Sequence, residues 1–560
     1  MVTLSIQNSQ GPQIPVLLLK EGAKETKGKD AQRNNITAAK QVANIVKSCL
    51  GPRGMDKMLV SSIGDATVTN DGATILKELD VEHPAAKMMV EVAKSVDNEV
   101  GDGTTSSVVL AGALLEKAED LISKHVHPTV IIDGYGAASE HALKLLQKNA
   151  VKVDLNDKQL LLNIAKTSMY SKLVSEDSPI LAQIIVDAAS QVADNDISNG
   201  SSKIDLDNIK VEKKAGGSIH DTKLIRGIAL DKEVVHAGMP KRVENGKIAL
   251  INSALEIEKT EASAEIRIND PHQMQLFLDE ENRMLKSMVE KIKYTNANVV
   301  LCQKGIDDIA QHYLAKEGIL AVRRVKESDM YKLSKATGAR IVNNLDDLVS
   351  RDLGSADLVE ERKVETDKWV FIEGCQDPKA VTILVRGGSQ RVVDEAERSV
   401  HDALMVTKDV MEKPEIVAGG GATEAYIANE LRGWASNLQG RAQLAVQKFA
   451  DALDSIPLSL AENAGMDPID TITELRAKQG KGSKWTGIDV RNAKVTDMFK
   501  QDVVEPSVVK EQVVKSATEA ASMLLRIDDV IAAGKSKMPT GPPGGGNGGM
   551  GGYGGGMDME

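Results

Sequence analysis

The chain has 560 residues, a net charge of −12 at neutral pH and 42% hydrophobic residues. This length predicts about three or four domains rather than one small module. The negative charge disfavours binding to nucleic acid or to an anionic membrane surface, because both would repel it. With only 4 Phe, 3 Trp and 7 Tyr, the chain also lacks the aromatic side chains of a base-stacking protein, so its cores are expected to be aliphatic.

Three cysteines, Cys49, Cys302 and Cys375, lie far apart and form no C-x-x-C pair. We expect them to be small buried residues in a reducing compartment rather than zinc ligands. No apolar run approaches the roughly 18 residues of a membrane span, and residues 1–11 lack the pattern of a signal peptide. These features predict a cytoplasmic protein.

A helical pattern near the N-terminus is followed by a mixed central region. Apolar residues recur at helical spacing over residues 34–149 and again over residues 155–200. Runs rich in β-branched residues and bounded by Gly, Asn or Pro then predict strands. The predicted strand regions are Lys210–Leu230, Gly246–Ile251, Asn298–Leu301, Ile319–Val322, Trp369–Ile372 and Ala380–Val385, with a helix at Ile306–Ala315. The alternation predicts an α/β centre.

The pattern returns to nearly continuous helix from Val392 to about Ala533. An α-rich start, an α/β centre and an α-rich end predict that one domain is inserted into another, so that the two ends pack as one core. The last 20 residues are rich in Gly. We expect them to be disordered, because they cannot bury enough apolar surface to offset the entropy of ordering.

The most informative glycine-rich segment is Gly101–Ser106, with the sequence GDGTTS directly before an apolar helix. Glycines allow the backbone to approach a ligand closely, and a helix start offers free N–H groups to phosphate. Asp102 adds an oxygen ligand for magnesium. An ordinary helix cap explains the segment equally well. No Walker A sequence occurs, so an ordinary P-loop is excluded.

Three further glycine turns are less specific on their own. Leu50–Leu59 follows a helix and is explained by a helix stop. Asn70–Ile75 contains Asn-Asp-Gly, which is typical of a tight turn between a strand and a helix. In Val417–Ala422, three consecutive glycines indicate that the backbone approaches a ligand or another segment closely.

Five segments in this order resemble the successive signatures of group II chaperonins. They are Leu50–Leu59, Asn70–Ile75, Gly101–Ser106, Ser399–Leu404 and Val417–Ala422. The resemblance extends from about Gly28 to Ile531 and is strongest to archaeal thermosome subunits, with the eukaryotic cytosolic chaperonin subunits as the close alternative.

The resemblance implies a multidomain α and α/β chaperonin fold. A mostly helical equatorial domain would comprise residues 1–150 and 409–535, and an α/β intermediate domain residues 151–219 and 375–408. An inserted α/β apical domain would comprise residues 220–374 and carry a helical lid protrusion at about 256–290. Residues 536–560 would form a disordered Gly/Met-rich tail.

The resemblance also implies an ATP site. Asp102 matches the magnesium ligand, and Asp402 and Asp71 match the carboxylates that position the attacking water. The other implied nucleotide-binding residues are Leu50, Gly51, Pro52, Gly103, Thr104, Thr105, Ser106, Lys172, Gly420, Gly421, Asp489 and Glu505. Among these, Lys172 matches the lysine that senses the γ-phosphate and Glu505 the acidic ribose contact. Ser171 stands where the family often has Gly, and Asp489 where Asn is common.

The segment Asp270–Lys293 predicts an amphipathic helix. Its apolar face carries Met274, Leu278, Leu285, Met288 and Ile292. Leu276, Phe277 and Met284 lie off that face and would stay exposed if the helix packed through one stripe. A helix packed on its own domain is the plain alternative, whereas the resemblance favours an exposed tip. Together with this protrusion, Ile306, Ile309, Tyr313 and Leu314 are expected to present an adaptable surface to unfolded proteins.

The leading hypothesis is an ATP-driven folding machine. The resemblance implies stacked rings of like subunits, as a homo- or hetero-oligomer, with unfolded proteins as partners and with ATP and Mg²⁺ as cofactors. A monomeric soluble Mg-ATPase or kinase and a structural filament that binds nucleotide are the alternatives. No acceptor-specific basic pocket supports a kinase, and the set Asp71, Asp102 and Asp402 favours hydrolysis over a scaffold role.

Overall fold

The computed structural model describes residues 3–4, 16–17, 24–61, 64–194, 202–257, 271–376 and 378–532. Its helices are α1 (Gly28–Lys47), α2 (Gly72–Glu78), α3 (Pro84–Val100), α4 (Thr104–Ser123), α5 (Pro128–Asn149), α6 (Lys158–Met169), α7 (Ser178–Val192), α8 (Pro271–Tyr294), α9 (Asp308–Lys316), α10 (Glu327–Thr337), α11 (Gln390–Glu412), α12 (Ala422–Ala435), α13 (Arg441–Leu453), α14 (Ser455–Asn463), α15 (Pro468–Gly480) and α16 (Ser507–Arg526). The predicted tail, residues 536–560, and residues 258–270 of the predicted protrusion lie outside the described residues.

The strands are short except in the central region. They are β1 (Thr3–Leu4), β2 (Val16–Leu17), β3 (Lys24–Lys27), β4 (Lys57–Val60), β5 (Ala66–Thr69), β6 (Val151–Lys152), β7 (Ile209–Ala215), β8 (Lys223–Ile225), β9 (Gly227–Leu230), β10 (Arg242–Ile251), β11 (Val299–Cys302), β12 (Leu320–Val322), β13 (Ile341–Val342), β14 (Gly354–Val364), β15 (Asp367–Glu373), β16 (Val381–Gly387), β17 (Glu415–Ala418), β18 (Thr486–Asp489), β19 (Lys494–Asp497), β20 (Val504–Pro506) and β21 (Asp529–Ala532).

The chain divides into two compact units. One unit contains Met1–Asn34 and Ile527–Glu560. In it, β3 pairs with β21 in antiparallel fashion, and the Gly28 N–H donates to the Asp528 carbonyl oxygen over 2.6 Å. The other unit, Asn35–Arg526, contains the large sheets and the cavities.

Within the larger unit, helices from early and late in the sequence pack around α4. This helix is apolar on every face from Val108 to Leu115 and is buried along that stretch. α5, α13 and α16 pack against it. Tyr135 of α5 donates to the Leu114 carbonyl oxygen over 2.9 Å, and its ring meets that of Phe449 edge to face at 5.7 Å. Helices before residue 150 thus share a core with helices after residue 420, as insertion of the central region requires.

The central region contains a seven-stranded sheet. Its order is β12-β11-β10-β14-β15-β9, and β13 also pairs with β10. β10, β11, β12 and β13 run parallel, whereas β14, β15 and β9 pair in antiparallel fashion. An aliphatic core joins the sheet to α8, α9 and α10. β14 is absent from the predicted strands, because its sequence GSADLVEERKV is largely polar and holds no β-branched run.

The predicted apolar face of α8 is only half right. Leu285 and Ile292 are buried in the core of the seven-stranded sheet, together with Val289. Met274 and Leu278, from the same predicted face, are exposed. The residues expected to stay outside are also exposed: Leu276, Phe277 and Met284. The C-terminal half of α8 is therefore a packed helix, and the N-terminal half is exposed on more than one face.

The predicted client surface on α9 needs correction. Ile306 and Leu314 are buried in the core of the seven-stranded sheet and cannot contact a client, so that part of the prediction is wrong. Ile309 is exposed, and Tyr313 is partly buried against the core. The helical period allows an apolar face to be either packed or exposed. Here α9 packs on α8 and β12, and two of the four predicted residues lie in the core.

A second, three-stranded sheet has the order β7-β16-β8. β7 and β16 are parallel, and the sheet shares a core with α6, α7 and α11. Buried Lys210 on β7 connects this sheet to the larger one. Its Nζ lies 3.0 Å from Oδ1 of Asp329 on α10 and donates to the Ala229 carbonyl oxygen of β9 over 3.0 Å.

The prediction of nearly continuous helix from Val392 to about Ala533 is wrong at five short strands. β17 lies between β20 and β6 in one sheet, β18 pairs with β19 in another, and β21 pairs with β3. Each of these five strands has three or four residues. That length is too short for a period of two to be distinguished from a turn of helix.

Cys49, Cys302 and Cys375 are buried, as predicted, and each is a free cysteine. Burial raises the pKa of Cys302 and of Cys375 to about 11, so these thiols stay protonated at neutral pH. Across the part of the chain that the structure describes, no helix has the length and apolarity needed to cross a membrane.

Candidate functional site

Two adjoining cavities in the larger unit, of about 320 and 70 Å³, contain every predicted site residue in their walls. We call the two together the cleft. The larger cavity is lined by Leu50, Gly51, Pro52, Asp102, Gly103, Ser106, Gly420, Gly421, Asp489 and Glu505 from the predicted set. The smaller is lined by Leu50, Gly51, Asp71, Asp102, Gly103, Thr104, Thr105, Ser106, Lys172 and Asp402. The fold thus brings together segments that are hundreds of residues apart in sequence.

Two helices begin at the cleft without a side-chain cap. Gly103 is the N-cap of α4 and Gly421 that of α12, and neither position provides a capping side chain. Asp102 does not cap α4 either, because its Oδ1 accepts from the Gly103 N–H over 2.6 Å. The ordinary cap considered for Gly101–Ser106 is therefore absent. Free N–H groups and the positive ends of two helix dipoles face one cleft, which suits a phosphate chain.

The Gly101 turn lets α11 approach the cleft. Gly101 has a φ of +67°, and a Cβ atom there would lie 2.4 Å from Cβ of Met405 on α11. Only glycine permits this contact without displacement of the helix. Asp402, almost one turn earlier on α11, consequently reaches the smaller cavity.

Asp71 is the N-cap of α2. Its Oδ2 accepts hydrogen bonds from the Thr74 N–H over 2.9 Å and from Thr74 Oγ1 over 2.7 Å. The predicted turn between a strand and a helix is present here, since β5 ends at Thr69 and α2 begins at Gly72. One oxygen of Asp71 is thus committed to the turn while the residue also lines the smaller cavity.

Lys172 and Asp402 form a buried ion pair across the smaller cavity. The Lys172 ammonium donates to Oδ2 of Asp402, and the two side chains are 6% and 11% exposed. The pair joins α11 to the loop that follows α6. Asn70 supports this loop by donating to the Ser171 carbonyl oxygen. Next to the pair, partial desolvation and the charge of Lys172 lower the pKa of His401, whose side chain is 58% exposed.

The acidic groups of the cleft fit a magnesium ion that arrives with a nucleotide. In the described residues, no group of three or more His, Cys, Asp or Glu side chains is placed to hold a metal by itself. Magnesium is typically held by one or two carboxylates plus substrate phosphates. Asp102 supplies one such carboxylate beside the uncapped start of α4.

Asp97, near the cleft, was not predicted from the sequence. Burial raises its pKa to about 6; Asp71 and Asp102 add to the rise and Lys172 opposes it. Asp97 lies four residues before the GDGTTS segment, in the last turn of α3. No pattern in the sequence distinguishes it from a solvated helix residue.

Part of the lining of the larger cavity is apolar. Its aliphatic side chains are those of Ile456, Leu460, Ile488, Val490 and Met498. Such a lining suits a flat, weakly polar ring such as a nucleobase. Asp489, predicted to lie near the adenine, uses its carboxylate in the β18–β19 turn, because Oδ2 accepts from Asn492 Nδ2 over 2.7 Å and Oδ1 from the Asn492 N–H over 3.1 Å.

Three charged or aromatic residues of the larger cavity were also missed. Lys510 lines it and pairs with Glu505, with 2.6 Å between Nζ and Oε2. The guanidinium group of Arg491 stacks on the Tyr170 ring, 3.9 Å from its centroid. A lysine in an amphipathic helix and an arginine in a turn resemble ordinary surface residues, so only the folded chain identifies them.

Comparison with known proteins gives a consistent match. The model of the TCP-1/cpn60 chaperonin family matches residues 42–535. A thermosome subunit of Methanopyrus kandleri is 58% identical over 518 residues, which cover 92% of this chain and 95% of the relative. Archaeoglobus fulgidus has two such relatives. Its thermosome subunit alpha is 56% identical over 95% of this chain and 98% of the relative, and its subunit beta is 56% identical over 93% and 95%.

Proposed function

Because the chain belongs to the TCP-1/cpn60 chaperonin family, as an archaeal group II chaperonin and hence an ATP-dependent chaperone, we propose that the cleft binds ATP with Mg²⁺ and hydrolyses it to drive protein folding. One observation carries the proposal: two uncapped helix N-termini and the carboxylates of Asp102 and Asp402 converge on one cleft. The monomeric kinase and filament alternatives are not retained, since the family is one of chaperonins.

In the proposed reaction, the phosphates of ATP bind at the N-termini of α4 and α12, and Asp102 holds the magnesium. Bound magnesium neutralises charge on the phosphate oxygens. Asp402 accepts a hydrogen bond from the water that attacks the γ-phosphorus and thereby orients it. Asp71 contributes the oxygen that Thr74 leaves available. The water oxygen bonds to the γ-phosphorus, and the bond between the γ-phosphorus and the bridging oxygen of ADP breaks. Both protons of the water stay with the inorganic phosphate, which leaves as dihydrogen phosphate together with ADP.

Lys172 makes the availability of the Asp402 carboxylate depend on the γ-phosphate. While the Lys172 ammonium pairs with Asp402, that carboxylate is not available to orient water through Oδ2. A γ-phosphate in the smaller cavity competes for Lys172, because it carries more charge than one carboxylate. Asp402 is therefore released when ATP, and not ADP, occupies the cleft.

We assign the domains as the resemblance implies. The equatorial domain comprises residues 1–150 and 409–535, the intermediate domain 151–219 and 375–408, and the apical domain 220–374. The sheet topology supports this assignment, because the seven-stranded sheet lies entirely within residues 227–373. β8, at Lys223–Ile225, pairs with β16, which favours a boundary a few residues later, near Gly227.

The protrusion is assigned to residues 256–290, and among its described residues the N-terminal half of α8 is exposed. Phe277 and Leu276, with 47% and 68% of their surface exposed, are the strongest candidates for contact with clients or with neighbouring protrusions. In this proposal, like subunits form stacked rings, unfolded proteins bind at the apical surface, and the protrusions close the ring cavity as a lid.

Asp402→Ala and Asp102→Ala together test the ATP site. Asp402→Ala is expected to bind ATP normally but to hydrolyse it roughly 10²–10⁴-fold more slowly, the usual contribution of a water-orienting group. Asp102→Ala is expected to weaken magnesium-dependent ATP binding itself. Nucleotide affinity and single-turnover hydrolysis, measured on each preparation, separate the two effects.

The matched control is Glu412→Ala, an exposed acidic residue on the same helix as Asp402. It is expected to keep both affinity and hydrolysis. Near-normal hydrolysis by Asp402→Ala, or a loss fully explained by weaker ATP binding, would contradict the assignment of Asp402.

A further inference from the structure

Lys510, at the start of α16, forms a buried ion cluster with two glutamates. Its Nζ lies 2.6 Å from Oε2 of Glu505 on β20 and 2.8 Å from Oε1 of Glu424 on α12. The Lys510 side chain is 10% exposed and that of Glu424 only 5%, whereas that of Glu505 is 21% exposed. Lys510 and Glu505 line the larger cavity and Glu424 does not. Glu505 is thus the acidic member that faces the cleft, and Glu424 lies behind the lysine.

Charged neighbours act on Glu505 in opposite directions. Burial raises the pKa of Glu505, Lys510 opposes that rise, and the charges of Glu424 and Asp102 add to it. Burial alone would lower the pKa of Lys510, but Glu424 and Glu505 outweigh it and hold the pKa above its usual range. One ammonium between two carboxylates therefore remains charged and fixes both of them.

The backbone at Gly419 restricts the second carboxylate oxygen of Glu505, Oε1. A Cβ atom on Gly419 would lie 2.6 Å from Oε1 of Glu505, so this carboxylate packs against backbone rather than against a side chain. The adjoining Gly420 and Gly421 line the cleft. With Oε2 held by Lys510 and Gly419 beside Oε1, the carboxylate has little freedom to rotate.

We propose that Lys510 is a positioning residue for the sugar of the bound nucleotide. It holds Oε2 of Glu505 so that Oε1 accepts a hydrogen bond from a ribose hydroxyl, and Glu424 anchors the lysine from behind. This inference rests on the proposed function, in which Glu505 contacts the ribose. A merely structural Lys510 would affect stability, whereas a positioning Lys510 also controls the preference for ATP over its deoxy analogues.

The experiment measures the affinities of the full chain for ATP, 2′-deoxyATP and 3′-deoxyATP. The wild type is expected to bind at least one deoxy analogue about 10–100-fold more weakly than ATP, as the loss of a hydrogen bond to a charged group implies. In Glu505→Gln and in Lys510→Met, the affinity for ATP is expected to exceed that for the deoxy analogue by no more than about threefold. Glu424→Gln keeps an acceptor for Lys510, so its preference is expected to stay within about threefold of the wild-type value.

A double-mutant cycle tests whether Lys510 acts through Glu505. In the Glu505→Gln background, Lys510→Met is expected to cause no further change in the preference. If Lys510→Met fails to fold, Lys510→Met combined with Glu424→Gln takes its place, because it removes one charge of each sign from the buried cluster. This variant is also expected to lose the preference.

The outcomes separate the inference from the ATP site. Loss of the preference in Glu505→Gln but not in Lys510→Met overturns the positioning role and leaves the ATP site intact. A wild type that binds all three nucleotides equally overturns the ribose contact and the role of Lys510 with it. A wild type that binds none of them overturns the proposed function.

Discussion

Asp409 is a buried carboxylate with an unsatisfied oxygen. It lies on α11, seven residues after Asp402, and its Oδ2 has no hydrogen-bond partner in the described part of the chain. Burial raises the pKa of Asp409 to about 7; Lys408 opposes the rise, and Glu412 and Asp102 add to it. The folded protein therefore binds this proton more tightly than the unfolded chain does.

We predict that Asp409→Asn stabilises the protein at alkaline pH. Since the folded pKa lies above the ordinary value of 3.8, the Asp409 contribution lowers the free energy of unfolding as the pH rises from about 4 to about 7. An amide does not ionise, so the substitution removes the cost of burying the charged carboxylate. Urea unfolding should therefore show a free energy of unfolding that is higher by about 2–4 kcal/mol at pH 8 and almost unchanged at pH 4. The same gain at both pH values, or a similar gain from Glu412→Gln, would contradict the prediction.

At the scale of single residues, the sequence identified the cleft through its unusual segments and missed its ordinary ones. Gly101–Ser106 and Val417–Ala422 stand out because glycines at such density are rare outside tight turns. Lys510 and Glu424 occupy helices whose pattern is that of any half-buried helix. Their burial and pairing depend on how the fold brings α16 to both α12 and β20, which no local pattern encodes.

Among the elements, α8 has two parts with different roles: the part from Leu285 onwards packs in a core, and the part before Leu285 is assigned to the protrusion. Leu285, Val289 and Ile292 belong to the core of the seven-stranded sheet. Excising all of residues 256–290 would therefore open that core. A sharper test replaces residues 257–282 by a short flexible linker and leaves buried Leu255 and Leu285 in place.

This excision is expected to preserve ATP hydrolysis and to abolish the enclosure of clients. Hydrolysis should persist because every residue assigned to the cleft lies outside the excised segment. Steady-state ATPase activity and protease protection of a bound unfolded protein are measured side by side. A matched variant, Leu276→Ser with Phe277→Ser, keeps the helix but removes its apolar tip. Undiminished protease protection after the excision would contradict the lid assignment.

The sequence predicted elements well where they were long and poorly where they were short. The helices α4, α5 and α11 follow from sustained periodicity over about 20 residues. The strands β17 and β20 do not, although β20 carries Glu505 of the cleft, because their four and three residues derive their conformation from pairing with each other. Such tertiary pairing overrides local propensity.

At the level of the whole molecule, the exposed β4–β5 hairpin leads us to predict that copies of this chain associate with one another. It is a two-stranded sheet with no further strand beside it among the described residues. Met58 and Val60 are exposed on it, as is the nearby Met55. An apolar hairpin with open edges is a pairing surface that a soluble monomer would normally cover.

We expect the 60.0 kDa chain to form a closed assembly many times its own mass. Native mass measured with and without ATP tests this, and electron microscopy distinguishes a ring from a filament. Met58→Lys combined with Val60→Lys should reduce the assembly while ATP affinity per chain is retained, since neither residue lines the cleft. The control is Ile469→Lys, an exposed apolar residue on α15. A monomeric wild type would contradict the prediction.

The distance in sequence between Gly51 and Glu505 has a consequence for biosynthesis. Both line one cavity, yet a ribosome adding about 5–20 residues per second needs about 20–90 seconds to pass from the first to the second. For most of that interval α4 and α5 have been made while α13 and α16, which pack against them, have not. The growing subunit therefore exposes aliphatic helices to the cell and is, until its synthesis ends, the kind of incomplete polypeptide that a chaperone protects.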